Sequence, residues 1–381
     1  MKTVRLGIAG LGSMGTNHAK KILDNQVPGA VLTAVADPFS DVRQFGPEVK
    51  GFTSSEEMIA SGEIDAILIV TPHYSHTSLG IAALEKGLHV LVEKPISVHK
   101  ADAERLLAAH NDPKQIFAAM FNVRTYPCYQ ALKQLIDSGE LGEIRRVNWV
   151  ITDWFRTFAY YNSASWRATW EGEGGGVLLN QCPHNLDMIQ WLFGMPSRVR
   201  ALCRFGHYHE IEVEDDVTAV LEYPNGATGV FIASTGESPG TNRLEITAEN
   251  GRVVLEDEQI RWVRNTQGMS EFSRTTPMRG GRPSVWNVEI PLAPPNAASS
   301  HVIIMRNFIN AILHGEEVIA PGAEGLCSVE LANAMLMSQF TDSTITLPLD
   351  GAAYEKELAA RIAESAQRRN NATPAPATPC K

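Results

Sequence analysis

A glycine-rich turn near the start of the chain restricts the fold more than any other feature. The residues GLGSMG, Gly10 to Gly15, directly follow the apolar run TVRLGIAG and precede a helical pattern that begins near Thr16. The arrangement G-x-G-x-x-G between a strand and a helix is typical of the first turn of a doubly wound α/β sheet. A second apolar run ends at Asp37, at the spacing expected for an acidic residue in such a unit.

The first third of the chain alternates between apolar runs and helical patterns. Further apolar runs are AILIVTP, LHVLVE and QIFAAMFN, and helical stretches separate them. Near-continuous apolar strands that alternate with helices indicate a parallel sheet with helices on both faces. Residues 1–123 are therefore predicted to form an N-terminal Rossmann domain of the α/β class.

The pattern changes after residue 123 to long segments with alternating polarity. Two Asn-Gly turns, in YPNGAT and AENGRV, interrupt these segments and predict hairpins. Residues 124–349 are predicted to form an α+β domain with an open, mostly antiparallel sheet. Residues 350–381 are predicted to be a C-terminal helix and a disordered tail, which is rich in Pro, Ala and Asn.

Charge and cysteine usage argue against several classes of partner. The chain has 381 residues with a formal charge of −10 and a pI near 5.6, which disfavour nucleic acid and anionic membranes. No apolar run is long enough to span a membrane. The five cysteines lack the paired spacing of a zinc site or a disulfide framework, so no metal is expected. Reduced thiols in the cytoplasm are the simplest interpretation.

In this context the glycine turn predicts a dinucleotide site. Gly10 permits the tight turn, Gly12 lets the backbone approach a pyrophosphate, and Gly15 allows close packing of helix on strand. Asp37 can accept hydrogen bonds from both ribose hydroxyls and would repel a 2′-phosphate, so NAD is predicted rather than NADP. A glycine turn without any ligand is the alternative.

Two further strand ends should face the same cleft, because the carboxyl ends of parallel strands line the ligand crevice. TPHYSH follows one strand and EKPIS follows the next. For His76 alone, a helix-start residue is as good an interpretation as a cofactor contact. The predicted cofactor-binding residues are Gly10, Gly12, Ser13, Met14, Gly15, Asp37, Thr71, Pro72, His73, His76, Glu93, Lys94 and Asn122.

Lys94 leaves the sheet beside the expected nicotinamide, and Pro95 should fix the turn so that the lysine side chain points into the cleft. A lysine there can donate to a substrate hydroxyl or keto oxygen, and it can relay a proton if burial lowers its pKa. The alternative is a surface lysine in a turn.

A second candidate group follows three glycines, Gly174 to Gly176. The apolar helical segment after them carries Asn180, His184 and Asp187, whose spacing would place all three on one helix face. Polar groups on such a helix need partners or a cavity. Cys182-Pro183 should distort the first turns, or the regular helix begins at Pro183. We interpret Asn180 and His184 as catalytic with Lys94, although His184 alone would also fit a satisfied core histidine.

The segment WFRTFAYYNSASWRATWEGE is dense in Trp, Tyr and Arg. Aromatic faces combined with polar donors suit polyhydroxylated rings. A packed loop or a contact between copies of the chain is the alternative. The predicted substrate-binding residues are Arg124, Trp154, Tyr160, Trp166, Arg167, Asn180 and His184.

Together these motifs resemble the Gfo/Idh/MocA family of oxidoreductases over nearly the whole chain up to the tail. GLGSMG, TPHYSH, EKP and GGGVLLNQCPHNLD occur in the family's order, and APGAEGLCSVELANAML is also similar. The resemblance implies a Rossmann domain that holds NAD(P) and a second domain whose open sheet often forms dimers or tetramers. By the same resemblance, Lys94 matches the catalytic lysine and His184 the catalytic histidine.

Three positions depart from the family's pattern. The family usually has Asp where this chain has Asn180, often Gly at Cys182, and usually Asn at His73. An amide at position 180 cannot carry charge, so proton transfer would depend on His184 and Lys94, with Asn180 orienting the substrate.

The leading hypothesis is an NAD-dependent oxidoreductase that transfers a hydride between nicotinamide and a ring carbon of a sugar, sugar derivative or cyclitol. One alternative is a glycoside-cleaving enzyme that retains NAD and acts by transient oxidation and elimination. Another is a non-catalytic protein that senses a sugar or NAD. A homodimer or homotetramer with a small carbohydrate or cyclitol substrate is expected.

Overall fold

The computed structural model describes residues 3–294 and 296–371 and confirms the predicted fold class. A six-stranded parallel sheet comes first, and a nine-stranded, mostly antiparallel sheet follows. The elements of the first part are β1 (Val4–Ala9), α1 (Ser13–Leu23), β2 (Ala30–Ala36), β3 (Lys50–Phe52), α2 (Ser55–Ala60), β4 (Ala66–Ile69), α3 (His73–Glu85), β5 (His89–Val92), α4 (Lys100–Ala109) and β6 (Phe117–Ala119).

The first sheet has the strand order β3-β2-β1-β4-β5-β6, and all its pairs are parallel. This is the Rossmann order, in which the chain reverses direction across the sheet between β1 and β4 and leaves a crevice at their carboxyl ends.

Two glycines make the turn after β1. Gly10 has a φ of +92°, and a side chain there would lie 2.6 Å from the carbonyl oxygen of Val70. A Cβ on Gly15 would lie only 1.8 Å from the carbonyl oxygen of Gly10, so α1 can pack against the turn only with glycine at this position.

The second part of the chain contains the remaining helices and strands. They are α5 (Pro127–Asp137), β7 (Ile144–Ile151), α6 (Phe158–Tyr161), α7 (Val177–Asn180), α8 (Pro183–Phe193), β8 (Arg198–Phe205), β9 (Glu214–Glu222), β10 (Thr228–Ser234), β11 (Asn242–Ala248), β12 (Gly251–Glu256), β13 (Gln259–Asn265), α9 (Met269–Thr275), β14 (Val285–Glu289), α10 (Ser300–His314), α11 (Gly325–Thr341), β15 (Ile345–Thr346) and α12 (Gly351–Asn371).

The second sheet has the order β14-β13-β12-β11-β7-β10-β9-β8-β15, and its one parallel pair within the described residues is β7 with β10. Both predicted Asn-Gly hairpins are present, between β9 and β10 and between β11 and β12. Helices α5, α7 and α11 pack on one face of the sheet, and α8 packs against these three helices. The other face exposes aliphatic side chains such as Leu202 and Val220.

Helix α10 completes the core of the first sheet although it lies late in the chain. Its residues Val302, Met305 and Phe308 belong to the same buried apolar cluster as Leu6 and Ile8 of β1. The predicted tail beyond residue 371 lies outside the described residues. Within the described residues, no helix is long and apolar enough to cross a bilayer.

Candidate active site

A cleft of about 980 Å³ runs along the carboxyl ends of the first sheet and reaches the second part of the chain. Its lining brings together residues from both predicted sets. Those from the predicted cofactor set are Gly10, Gly12, Ser13, Met14, Asp37, Thr71, Pro72, His76, Glu93 and Lys94, and those from the predicted substrate set are Tyr160, Trp166, Arg167 and Asn180.

The cofactor end of the cleft has the features that a dinucleotide needs. A Cβ on Gly12 would meet no atom within 4 Å, so the backbone is open to a pyrophosphate. Asp37 at the end of β2 accepts hydrogen bonds from the backbone N–H groups of Leu11 (2.7 Å), Phe39 (2.8 Å) and Ser40 (2.7 Å). Burial opposes ionisation of the carboxyl, but these three donors outweigh it and lower the pKa of Asp37. The residues present therefore fit an NAD ribose.

His76 on α3 links two of the strand-end turns. Its ring nitrogens lie 2.7 Å from the carbonyl oxygens of Thr71 and Pro95, which belong to the turns after β4 and β5. This contact holds the backbone next to Lys94 in place, so His76 contributes to the shape of the site as well as lining it.

Three predicted cofactor residues do not line the cleft. Gly15 lies where α1 packs against the glycine turn, and a Cβ there would clash with the carbonyl oxygen of Gly10. His73 is buried, with Nδ1 3.3 Å from the carbonyl oxygen of Glu173, and burial lowers its pKa to about 3. Asn122 donates to the hydroxyl of Ser300 at 2.8 Å from a buried position.

Lys94 lies in the middle of the cleft and is half-buried. Its Nζ donates to the backbone carbonyl oxygen of Asn180 at 2.9 Å, which joins the two parts of the chain. Burial lowers the pKa of the Lys94 ammonium, while the carboxylates of Glu93 and Glu173 oppose that shift. A lysine in this setting can donate a hydrogen bond and release its proton more readily than one in water.

Sequence reasoning missed two histidines at the cofactor end. His18 is fully buried, and its Nε2 lies 3.0 Å from Oε1 of Glu93. Burial opposes ionisation of Glu93, but His18 and Lys94 lower its pKa to about 2. The ring of His301, which lines the cleft, lies 5.5 Å from that of His18. No local pattern marks this group, because it joins α1, β5 and α10.

Three aromatic and basic side chains form the wall at the substrate end. The guanidinium of Arg167 lies 4.5 Å from the ring centroid of Tyr160 and 4.7 Å from that of Trp166. Arg167 also donates to the Tyr160 hydroxyl at 2.9 Å, and that hydroxyl donates to Oδ1 of Asn180 at 3.1 Å. Aromatic faces and polar donors therefore meet beside Lys94.

The expectation that Asn180, His184 and Asp187 share one helix face is wrong. Helix α7 ends at Asn180 and α8 begins at Pro183, so two residues interrupt the helical repeat. Pro183 lacks the N–H that a continuous helix needs and starts the regular helix instead, which was one of the two alternatives. Asn180 consequently faces the cleft, whereas Asp187 points away from it.

The structure corrects the assignment of Arg124 to the substrate site. Its guanidinium donates to both carboxylate oxygens of Asp187, at 2.8 and 2.5 Å, and to the carbonyl oxygen of Ile319 at 3.1 Å. Glu324 lies 2.6 Å from it. Arg124 and Asp187 are each only 1% exposed, so the pair is structural and does not reach the cleft.

Trp154 is also corrected, because it packs against the core of the second part and does not line the cleft. His184 is not part of the cleft lining; it is half-buried, with its ring edge-on to Phe121 at 6.2 Å. Burial and the nearby Lys94 charge lower the pKa of His184 to about 3, so the imidazole is neutral. Among the described residues, none hydrogen-bonds its Nδ1.

Glu173 is a buried carboxylate that sequence reasoning missed at the substrate end. It is 2% exposed, its Oε2 accepts from the backbone N–H of Ala168 at 2.6 Å, and its Oε1 accepts from the Asn180 side-chain amide. Burial raises its pKa. It directly precedes the three glycines Gly174 to Gly176.

Comparison with known proteins identifies the family. Residues 4–121 match a family model described as "Oxidoreductase family, NAD-binding Rossmann fold", and residues 129–254 match "GFO/IDH/MocA C-terminal domain". The chain belongs to the GFO/IDH/MocA family. Members of the family are oxidoreductases with an NAD-binding Rossmann fold, and this chain is therefore an NAD-binding oxidoreductase.

Named relatives cover nearly the full chain. It is 27% identical over 355 residues to inositol 2-dehydrogenase of Rhizobium meliloti, which covers 88% of this chain and 97% of the relative. It is 25% identical over 394 residues to levoglucosan dehydrogenase of Pseudarthrobacter phenanthrenivorans, with 91% and 99% covered. A solved structure of the WlbA dehydrogenase from Bordetella pertussis, in complex with NADH and UDP-GlcNAcA, superimposes with a TM-score of 0.75 at 27% identity, covering 91% and 100% of the two chains.

Proposed function

We propose that this GFO/IDH/MocA protein is an NAD-dependent dehydrogenase that acts on a ring carbon of a sugar, sugar derivative or cyclitol. The observation that carries the proposal is Lys94, which lies in one continuous cleft between the glycine turn and the wall of Tyr160, Trp166 and Arg167. The names of the relatives, which include an inositol and a levoglucosan dehydrogenase, support this substrate class.

The side chains suggest a division of roles. Bound NAD supplies the hydride acceptor, and that chemistry belongs to the cofactor. Lys94 donates a hydrogen bond to the reacting oxygen, and the neutral His184 behind it is in the form that can take up the proton of a substrate hydroxyl. Tyr160 and Trp166 offer faces to the ring, and Asn180 orients its hydroxyls.

The test is a substrate panel with added NAD. Purified protein is incubated with inositols, levoglucosan, hexoses, uronic acids and simple glycosides while nicotinamide absorbance and products are followed together. NADH formation that matches an oxidised product supports the proposal. Cleavage of a glycoside without net NADH would favour the retained-cofactor mechanism, and ligand binding without turnover would favour a sensing protein. Lys94→Met serves as the inactive control.

We also infer that the protein is a homodimer or homotetramer whose contact uses the open face of the second sheet. Leu202 is 59% exposed and Val220 45% exposed on adjacent strands. In β10, the half-buried Val230 pairs with Val220 and Ile232 also faces outward, so the apolar side chains form a continuous surface. The open sheet of this family is expected to form dimers or tetramers, which supports a second copy of the chain as the partner that covers this surface.

Light scattering after size exclusion tests this inference. Leu202→Asp with Val220→Asp is expected to shift the native assembly to monomer. The matched control Leu23→Asp changes an aliphatic side chain, 47% exposed, at the end of α1 and should leave the assembly unchanged. A native protein that is monomeric at all concentrations would contradict the inference.

We further propose a cytoplasmic location. Cys128, Cys182, Cys203 and Cys327 are free thiols, and the first three are buried. Free thiols suit a reducing compartment. Cell fractionation with an antibody to the native protein tests the proposal, and recovery outside the cytoplasm would contradict it.

A further inference from the structure

A buried carboxylate lies behind the cleft at the substrate end and is coupled to it through one residue. Glu173 accepts from the side-chain amide of Asn180, and Asn180 itself lines the cleft. The backbone carbonyl oxygen of the same Asn180 accepts from Lys94 at 2.9 Å. Asn180 therefore contacts the buried carboxylate with its side chain and the cleft ammonium with its backbone.

The contacts of Glu173 leave much of its negative charge unpaired. Its other oxygen accepts only from the backbone N–H of Ala168, and the nearest cation, Arg167, lies 3.8 Å from Oε1. Arg167 is also engaged with Tyr160. By contrast, Glu93 lies 3.0 Å from the His18 ring, and Asp187 has a bidentate contact with Arg124. Glu93 and Glu173 both favour the Lys94 ammonium, and of the two only Glu173 is also joined to Lys94 through a shared residue, Asn180.

Several charged or titratable groups surround Lys94. The carboxylates and the thiol are Glu93, Glu173 and Cys182, the guanidinium is Arg156, and the histidines are His73, His76, His184 and His301. The groups that act on Glu173 are Lys94, Arg167 and Glu214. Burial lowers the pKa of His73 and of His184 to about 3, so these two rings are neutral and add little to the balance. Burial also lowers the pKa of His76, while its contacts with the Pro95 and Thr71 carbonyl oxygens oppose that shift.

We propose that Glu173 is a positioning residue that favours the charged form of Lys94 and holds the side-chain amide of Asn180 in place. Glu173 and Asn180 then act together as one negatively charged unit beside the reacting carbon. Neither member does this alone, because an amide carries no charge and Glu173 does not line the cleft. A carboxylate at position 180 would face the Oε1 of Glu173 directly, and two carboxylates in contact cannot both stay ionised. The pairing therefore accounts for an amide at position 180.

The inference rests on the proposed role of Lys94 in turnover, but its main test needs no substrate. Partial acetylation of the native protein across a pH series, with peptide mass spectrometry, gives the pH midpoint at which Lys94 loses its proton. Glu173→Gln removes the charge while an oxygen can still accept from Ala168. Glu171→Gln is the matched control, because Glu171 is two residues away, exposed, and paired with Arg369 at 2.7 Å.

Glu173→Gln is expected to lower the Lys94 midpoint by on the order of one pH unit, since a nearby negative charge that favours the ammonium is lost. The control should leave the midpoint unchanged. The double variant Glu173→Gln/Asn180→Asp returns one negative charge to the unit and should restore the midpoint. An unmoved midpoint in Glu173→Gln, or a double variant that stays as low as the single one, would overturn the proposal.

A second variant keeps the test decisive if Glu173→Gln does not fold. Glu173→Asp keeps the charge and should hold the midpoint near the native value, and a drop of about one unit in this variant would contradict the proposal. With a substrate from the panel, Glu173→Gln should lose about tenfold in kcat/KM with NADH affinity unchanged within about twofold. If the native protein turns over no panel member but the midpoint still responds, the proposed function fails and the inference about Lys94 stands.

Discussion

Two groups of buried charges lie on either side of the helix break at residues 181 and 182, and they differ in one respect. The Arg124 cluster (Arg124, Asp187 and Glu324) is closed, and its central pair is 1% exposed. The Lys94 cluster (Lys94, Glu173 and Asn180) opens into the cleft, and its ammonium contacts a single carbonyl oxygen. A charged side chain whose hydrogen-bonding groups are all paired is structural, whereas one with unpaired groups is available to a substrate. In these two clusters the pairing separates the two cases better than burial or position in the sequence does.

The Arg124 cluster connects segments from three different parts of the chain. Arg124 follows β6, Asp187 lies on α8, and Glu324 precedes α11. One guanidinium therefore joins three segments that are far apart in the sequence.

The largest effect should come from breaking the open cluster. Lys94→Met is expected to reduce kcat by at least about 10³-fold, because the donor to the reacting oxygen is lost. NAD binding should stay within a few-fold, and the melting temperature should not fall, since a partly desolvated charge has been removed. Steady-state rates, cofactor titration and calorimetry check these outcomes. A collapse of NAD binding would mean that Lys94 is a structural residue.

Breaking the closed cluster should affect stability instead. Arg124→Met leaves Asp187 buried without its bidentate partner and should lower the free energy of unfolding by about 3–5 kcal/mol. The double variant Arg124→Met/Asp187→Leu should recover most of that loss, because the carboxylate that remains, Glu324, is 40% exposed to solvent. Urea titration measures the stability, and kcat/KM is measured at a temperature where the variants are folded. A stable Arg124→Met protein that lost turnover would place Arg124 back among the functional residues.

A smaller effect is expected at Asp37. Its carboxylate lines the cleft and accepts hydrogen bonds from three backbone N–H groups. The native protein should bind NADH more tightly than NADPH. Asp37→Ala should weaken NADH binding by about tenfold, since hydrogen bonds to a charged acceptor are lost, and should weaken NADPH binding far less. Titration by nicotinamide fluorescence gives both affinities. Equal native affinities would show that Asp37 does not face the ribose.

The smallest effect concerns His184. Its folded pKa of about 3 is below the ordinary value of 6.5, so in this range the unfolded chain binds a proton that the folded chain does not. Stability is therefore lost as pH falls from about 6.5 towards 3. Between pH 7 and pH 5.5, the free energy of unfolding of His184→Gln should fall by about 1 kcal/mol less than that of the native protein. The exposed His207→Gln is the control, and an identical pH dependence in all three proteins would show that His184 is not buried as a neutral ring.

The fold was predictable because its signals are local. Apolar strands, the glycine turn and the Asn-Gly hairpins depend on residues close together in the sequence, and the structure places them as expected. The short strands β3 and β15 were missed because two or three residues carry no detectable alternation.

The substrate end was less predictable because its geometry depends on the break between α7 and α8. A spacing rule applied across Cys182-Pro183 assumes a regular helix. In the structure Asn180 lines the cleft, whereas Asp187 pairs with Arg124. Glu173, His18 and His301 gain their roles only from contacts between distant elements, which no spacing reveals.

The packing of α10 against β1 has a consequence for how the protein is made. The N-terminal strands leave the ribosome long before Met305 and Phe308, which cover one side of their core. Until α10 emerges, the nascent chain presents that apolar side to chaperones or to other chains. The cofactor unit is consequently not a module that can be cut out at residue 123, and an engineer who wished to transplant it would have to supply α10 as well.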